Sequence, residues 1–166
     1  MVAIVLGPYL YGGVLWLSLP QVLEVSTDLI DPPATRQEAI QFEQSPTIIV
    51  ARLVDAYPEI TGRRYDATPE FVFDRISKLA DERGWTLVSR RGSVGISDDL
   101  FGEFMKTSML LAIPRTIVIR VRDENDKTLV DMRAKLEFVN HDLGTNAKLI
   151  SSFLSELDFA LIGKAE

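Results

Sequence analysis

Residues 116–138 read TIVIRVRDENDKTLVDMRAKLEF. Ile117, Ile119 and Val121 alternate with Arg120 and Arg122. After the polar turn Asp123-Glu124-Asn125-Asp126, Val130, Met132, Ala134, Leu136 and Phe138 alternate with Asp131, Arg133, Lys135 and Glu137. Successive strand side chains point to opposite faces. A period of two over this length therefore predicts two strands, each with one buried and one wet face. The short turn predicts that they pair antiparallel.

The elements on either side fit that sheet. Thr68 is a good N-cap and Pro69 suits the first helical position. Val72, Ile76, Leu79 and Ala80 then recur at helical spacing until Gly84 stops the helix. Trp85 to Arg90 reads as a strand, Arg91 to Leu100 as a loop, and Phe101 to Ala112 as a further strand ended by Pro114. From about Leu143, the residues Leu143, Ala147, Ile150, Leu154, Leu157 and Leu161 form one apolar stripe, with Asp142 as N-cap. Two one-sided helices and a one-sided sheet have a simple solution. The expected class is α+β, a two-layer sandwich of an antiparallel sheet with two helices packed on one face.

Upstream the pattern changes. The first charged side chain is Glu24. Crossing a hydrocarbon core takes about 20 apolar residues, and residues 1–19 form an apolar segment of that order. An N-terminal apolar helix is expected there, transmembrane or signal-like, with Pro20 ending it. Residues 20–46 read as a linker, rich in turn and polyproline formers such as Asp31-Pro32-Pro33, with Glu38 and Glu43 as its charges. Thr47 to Leu53 is a short β-branched run and a strand candidate. One α+β domain is expected over 47–162. Glu24, Asp28 and Asp31 precede the first cation, Arg36. Basic residues collect on the cytoplasmic side of a span. The acidic exit therefore places the globular part outside the cytoplasm, periplasmic in a bacterium, with the membrane as partner through the apolar segment.

Composition narrows the chemistry. The chain has 166 residues, a formal net charge of −6, no cysteine and one histidine. The negative sign disfavours nucleic acid and anionic headgroups. Absent cysteine removes disulfides, thiolate catalysis and Cys-based zinc sites. There is no Gly-x-Ser-x-Gly, Walker-type loop or dinucleotide fingerprint. No catalytic residue, metal or cofactor is expected.

Two clusters are candidates for ligand binding. Asp142, Gly144 and Asn146 open the last helix, where free N–H groups attract anions, with His141, Arg133 and Lys135 as nearby cations. Arg120, Arg122, Arg133 and Lys135 share the outer face of neighbouring strands and suit a carboxylate or phosphate. Each has a plainer reading: Asp142 simply caps its helix, and the arginines pair across strands with Asp131 and Glu137. Asp98, Asp99 and Glu103 suit a solvated turn better than a cation site.

Short motifs in this order resemble the bacterial and plastid family called domain of unknown function 1499. They are Ser26-Thr27-Asp28 with Asp31-Pro32-Pro33, Tyr57-Pro58-Glu59-Ile60, IVIRVR, VDMR, and DLGTNAKLI from Asp142 to Ile150. The resemblance implies an N-terminal membrane helix or export signal, and no established activity. The chain departs from it at Arg115-Thr116, where members often carry an acidic pair. The favoured function is a non-catalytic binding module with an envelope protein or lipid as partner. One alternative is a hydrolase-like enzyme for a small anionic substrate, centred on Arg133, His141, Asp142 and Asn146. Another is self-association through Met105, Met109, Leu110 and Leu111, provided that their strand lies at a sheet edge.

Overall fold

The computed structural model describes residues 23–41, 54–92, 99–107, 113–137 and 142–162. The apolar segment 1–19, the strand candidate 47–53, Phe138 and His141 lie outside them. Among the described residues no helix is long and apolar enough to cross a membrane.

In chain order the elements are β1 (Glu24–Ser26), α1 (Arg36–Gln41), β2 (Arg63–Tyr65), α2 (Pro69–Glu82), β3 (Thr86–Arg91), β4 (Asp99–Thr107), β5 (Pro114–Asp123), β6 (Thr128–Leu136) and α3 (Thr145–Ile162). Among the described residues the strands make one six-stranded antiparallel sheet in the order β1-β6-β5-β4-β3, with β2 also paired to β6. The β5–β6 hairpin is its centre, running from Arg115 opposite Leu136 to Asp123 opposite Thr128. Asn125 turns it at a φ of 69°, a left-handed conformation that Asn tolerates. Ile117, Ile119, Val121, Val130, Met132 and Ala134 are 0% exposed, as the alternation predicts.

α2 and α3 cover this apolar face. Thr68 Oγ1 accepts from Phe71 N, and Gly84 ends α2 at a φ of 68°. Val72, Phe73, Ile76 and Ala80 join Ile150, Phe153, Leu154 and Leu157 in one core with the strands. Trp85 stacks on Phe153 at 4.8 Å and meets Phe104 edge-on at 6.2 Å.

Four details differ from the sequence reading. First, the stretch expected as linker supplies β1 and α1. Val25 is in the core, and β1 extends the sheet alongside β6. Second, the stretch read as the loop Arg91 to Leu100 contributes strand at both ends. Arg91 pairs with Phe101, and Asp99 sits opposite Arg122, which it binds at 2.9 and 3.1 Å. Third, α3 begins at Thr145, because Leu143 (φ 52°) and Gly144 (φ 71°) are left-handed and Leu143 faces solvent. Fourth, Met105 lies on β4, inside the sheet between β3 and β5. The edge on which self-association was premised belongs to β3, and residues 108–112 fall outside the described set.

Candidate functional site

The second sheet face carries Thr116, Val118, Arg120 and Arg122 from β5, and Asp131, Arg133 and Lys135 from β6. It was expected to be wet. Instead Arg120, Asp131 and Arg133 are buried, at 2%, 3% and 8% exposure. The chain from Ser26 to Glu38 crosses them, and its carboxylates supply the counter-charge that burial requires.

Arg120 donates to Asp31 Oδ2 at 2.6 Å, Asp28 Oδ2 at 2.8 Å and Asp131 Oδ2 at 3.0 Å. Asp131 is its register partner on β6, the cross-strand pair expected from the sequence. Asp131 Oδ1 also accepts from Thr27 Oγ1 at 3.0 Å. Arg133 donates to Glu24 Oε2 at 2.6 Å and to both oxygens of Glu38 at 2.7 and 3.0 Å. Glu137, the other acid expected to pair across the strands, instead accepts from Thr116 Oγ1 at 3.5 Å. Arg91 adds a bond to the Ala34 carbonyl.

The sequence reading missed Glu24, Asp28, Asp31 and Glu38 as members of this layer. A signal was present. Thr35-Arg36-Gln37-Glu38 is a capping box, with Glu38 N donating to Thr35 Oγ1 and Thr35 N donating to Glu38 Oε2. That box starts α1 and fixes Glu38 above Arg133. Burial pushes the Glu38 carboxyl up. The Arg133 and Thr35 hydrogen bonds and the Arg133 charge outweigh it, bringing the pKa down to about 2. Asp28 is lowered too: burial raises it, and N–H groups of Asp31 and Ile30 with Arg120 win.

Gly62 backs onto this layer. A Cβ there would lie 2.6 Å from Asp131 Oδ1 and 3.2 Å from the Val130 carbonyl. Arg120 and Thr27 hold that carboxylate, so it cannot swing aside freely. Gly62→Ala is expected to cost about 1–3 kcal/mol, seen as a lower urea midpoint. An unchanged midpoint would mean that the layer yields.

Beside the arginine layer a cleft of about 320 Å³ opens between α1 and the strands. Thr35, Gln37 and Glu38 form one wall, and Glu103, Thr116, Lys135 and Glu137 the other. Val118 and Arg133 are also in its lining. Lys135 Nζ stands 3.9 Å from Glu38 Oε1, too far for a hydrogen bond. The cleft therefore presents one ammonium among carboxylates and hydroxyl and amide groups. That mixture suits recognition of a small polar ligand.

The helix-start residues lie elsewhere. Asp142 accepts from Gly144 N at 2.9 Å and Asn146 N at 2.8 Å, filling the place an anion would take. Asn146 Nδ2 donates to the Leu23 carbonyl at 2.8 Å, which also accepts from Leu136 N. Asn146 thus ties α3 to the β1 edge. Gly144 lines a second groove, of about 590 Å³, with Tyr57 and Lys148. The predicted ligand set separates into two groups: Arg120 and Arg133 under the Ser26–Glu38 segment, and Asp142, Gly144 and Asn146 beside the helices. Arg133 and Lys135 face away from α3, so they add no charge to its start.

Comparison with family models matches residues 24–157 to a family described as "Protein of unknown function (DUF1499)". The search of curated proteins found no match.

Proposed function

The chain belongs to the DUF1499 family of proteins of unknown function, and on that premise, which assigns no activity, we propose that it is a non-catalytic binding module. Its ligand occupies the cleft between α1 and the outer strand face. The observation that carries this reading is the arrangement around Arg133. That guanidinium is already clamped by Glu24 and Glu38, so the cleft is held in shape before any ligand arrives. Preorganised walls lower the ordering cost of binding. Lys135, Glu103, Gln37 and Thr116 then offer donors and acceptors to a small polar molecule or an envelope protein's side chain. We place the module at a membrane, tethered by residues 1–19 and held outside the cytoplasm. The charge-free segment and the acidic residues after it support that placement.

One experiment tests the pieces. Full-length protein is fractionated from its native cells, extracted without denaturant and weighed by native mass spectrometry. Recovery in the membrane fraction with a bound small molecule is the expected result. Thr116→Trp, which fills the cleft, is expected to carry none. Recovery wholly in the soluble fraction removes the tether. A ligand retained by the Trp variant, or absent from the natural chain, removes the cleft as its site.

A further inference from the structure

Lys106 on β4 and Arg115 on β5 are direct partners in the antiparallel ladder. Like charges opposite one another repel. Both side chains are half-buried, so water screens them incompletely. Burial, then the charges of Arg115 and Arg83, hold the Lys106 ammonium below its usual range. Burial lowers Arg115 as well, against the pull of Asp142.

Among the described residues neither cation has an ion-pair partner, and the acids close by are engaged. Both Asp142 oxygens accept backbone N–H groups, and Glu156 holds Arg83 at 2.6 Å. Arg115 gives one N–H to Thr145 Oγ1 at 2.7 Å, while its Nε is buried with no partner. The start of α3 is not itself a site, since Asp142 caps it. What is unexplained is a pair of neighbouring cations in which Asp142 acts on Arg115 while only burial and other cations act on Lys106.

We propose that Lys106 and Arg115 form an oxyanion site for a phosphate group. Arg115 acts as a planar fork and Lys106 as a point charge. The bound phosphate adds a negative charge beside Lys106, on which only burial and the cations Arg115 and Arg83 act. These side chains lie on the helix-facing side of the sheet, in phase with Phe104 and Ile117, so the site is separate from the outer cleft. The phosphate is carried by a small soluble ester or by a lipid headgroup. The net charge of −6 favours the soluble ester over an anionic surface.

The test compares the natural chain with Lys106→Met and Arg115→Gln. In low-salt buffer without phosphate, Lys106→Met is expected to melt higher, because it removes a repulsion. Inorganic phosphate is then titrated at constant ionic strength against chloride. It is expected to raise the melting temperature of the natural chain and to bind each variant about tenfold more weakly. In a second arm, phosphatidylcholine vesicles with and without phosphatidic acid are co-sedimented with each protein. Lys106-dependent sedimentation identifies a headgroup, and a response to free phosphate alone identifies a soluble ester. Either supports the site. Equal phosphate responses in all three proteins, no response in either arm, or a Lys106→Met chain that melts lower would overturn it.

Discussion

Arg120→Met is expected to remove about 3–5 kcal/mol of folding stability, a large share of what a domain this size possesses. The reason is what the substitution leaves behind. Asp131 has a side chain only 5% exposed, and without Arg120 it keeps the Thr27 hydroxyl as its hydrogen-bond donor. Asp28 then faces it without its guanidinium partner, and of the three carboxylates Asp31 alone keeps a salt bridge, to Arg122 at 3.7 Å. A buried carboxylate stripped of its cation loses far more than the pair itself contributed. Asp131→Asn is expected to cost less, about 1–2 kcal/mol, because the amide oxygen still accepts from Arg120 while its NH2 donates to Thr27 Oγ1, and Arg120 keeps Asp28 and Asp31. Urea denaturation measures both. Hydrogen exchange adds the location: Thr27 N and Leu136 N, which tie the Leu23–Thr27 stretch to β6, should lose protection first. An Arg120→Met midpoint within error of the natural chain would show that the layer contributes nothing to folding.

The same layer marks where sequence reading stopped. Alternation placed Ile117, Ile119, Val121, Val130, Met132 and Ala134 on one face and Arg120, Arg122, Asp131, Arg133 and Lys135 on the other, as found, because the pleat allows no other arrangement. Periodicity reports which residues share a face, but not what covers it. Arg120, Asp131 and Arg133 looked like a wet surface because charge alternated with apolar residues. Their cover comes from Asp28, Asp31 and Glu38, 89 to 95 positions away from the arginines they bind. Prolines and acids made that cover look like a linker, although its Thr35–Glu38 capping box marked a helix. Local chemistry was more legible: Thr68-Pro69, Gly84 and the Asp142 cap depend on neighbours a few residues away. The clash of Lys106 and Arg115 was not legible. It depends on the register of β4 against β5, and no alternation in β4 revealed that register.

Acid is expected to loosen the Ser26–Glu38 segment through Glu38, and Arg133→Met is expected to weaken that response, leaving the part due to Thr35. Glu38 titrates at about 2 in the fold against an ordinary value of 4.5. Its folded pKa is lowered, so its contribution is complete above the unfolded value and disappears as pH falls toward the folded one. The window is therefore pH 4.5 down to about 2. At roughly 1.4 kcal/mol per pH unit the full shift would be worth about 3 kcal/mol. The Glu38 side chain is 21% exposed, and solvent screening reduces the contribution to about 2 kcal/mol. Arg133 keeps its charge throughout, so only the carboxylates titrate. Removing it leaves Glu24 and Glu38 facing one another, at an expected cost of about 2–4 kcal/mol at neutral pH. The Glu38 carboxyl then returns toward its ordinary value, and the acid slope within this window flattens. Urea midpoints measured across that range for both proteins decide the matter. Parallel curves would mean that Arg133 is not what depresses Glu38, and that α1 is held to the sheet by something other than this ion pair.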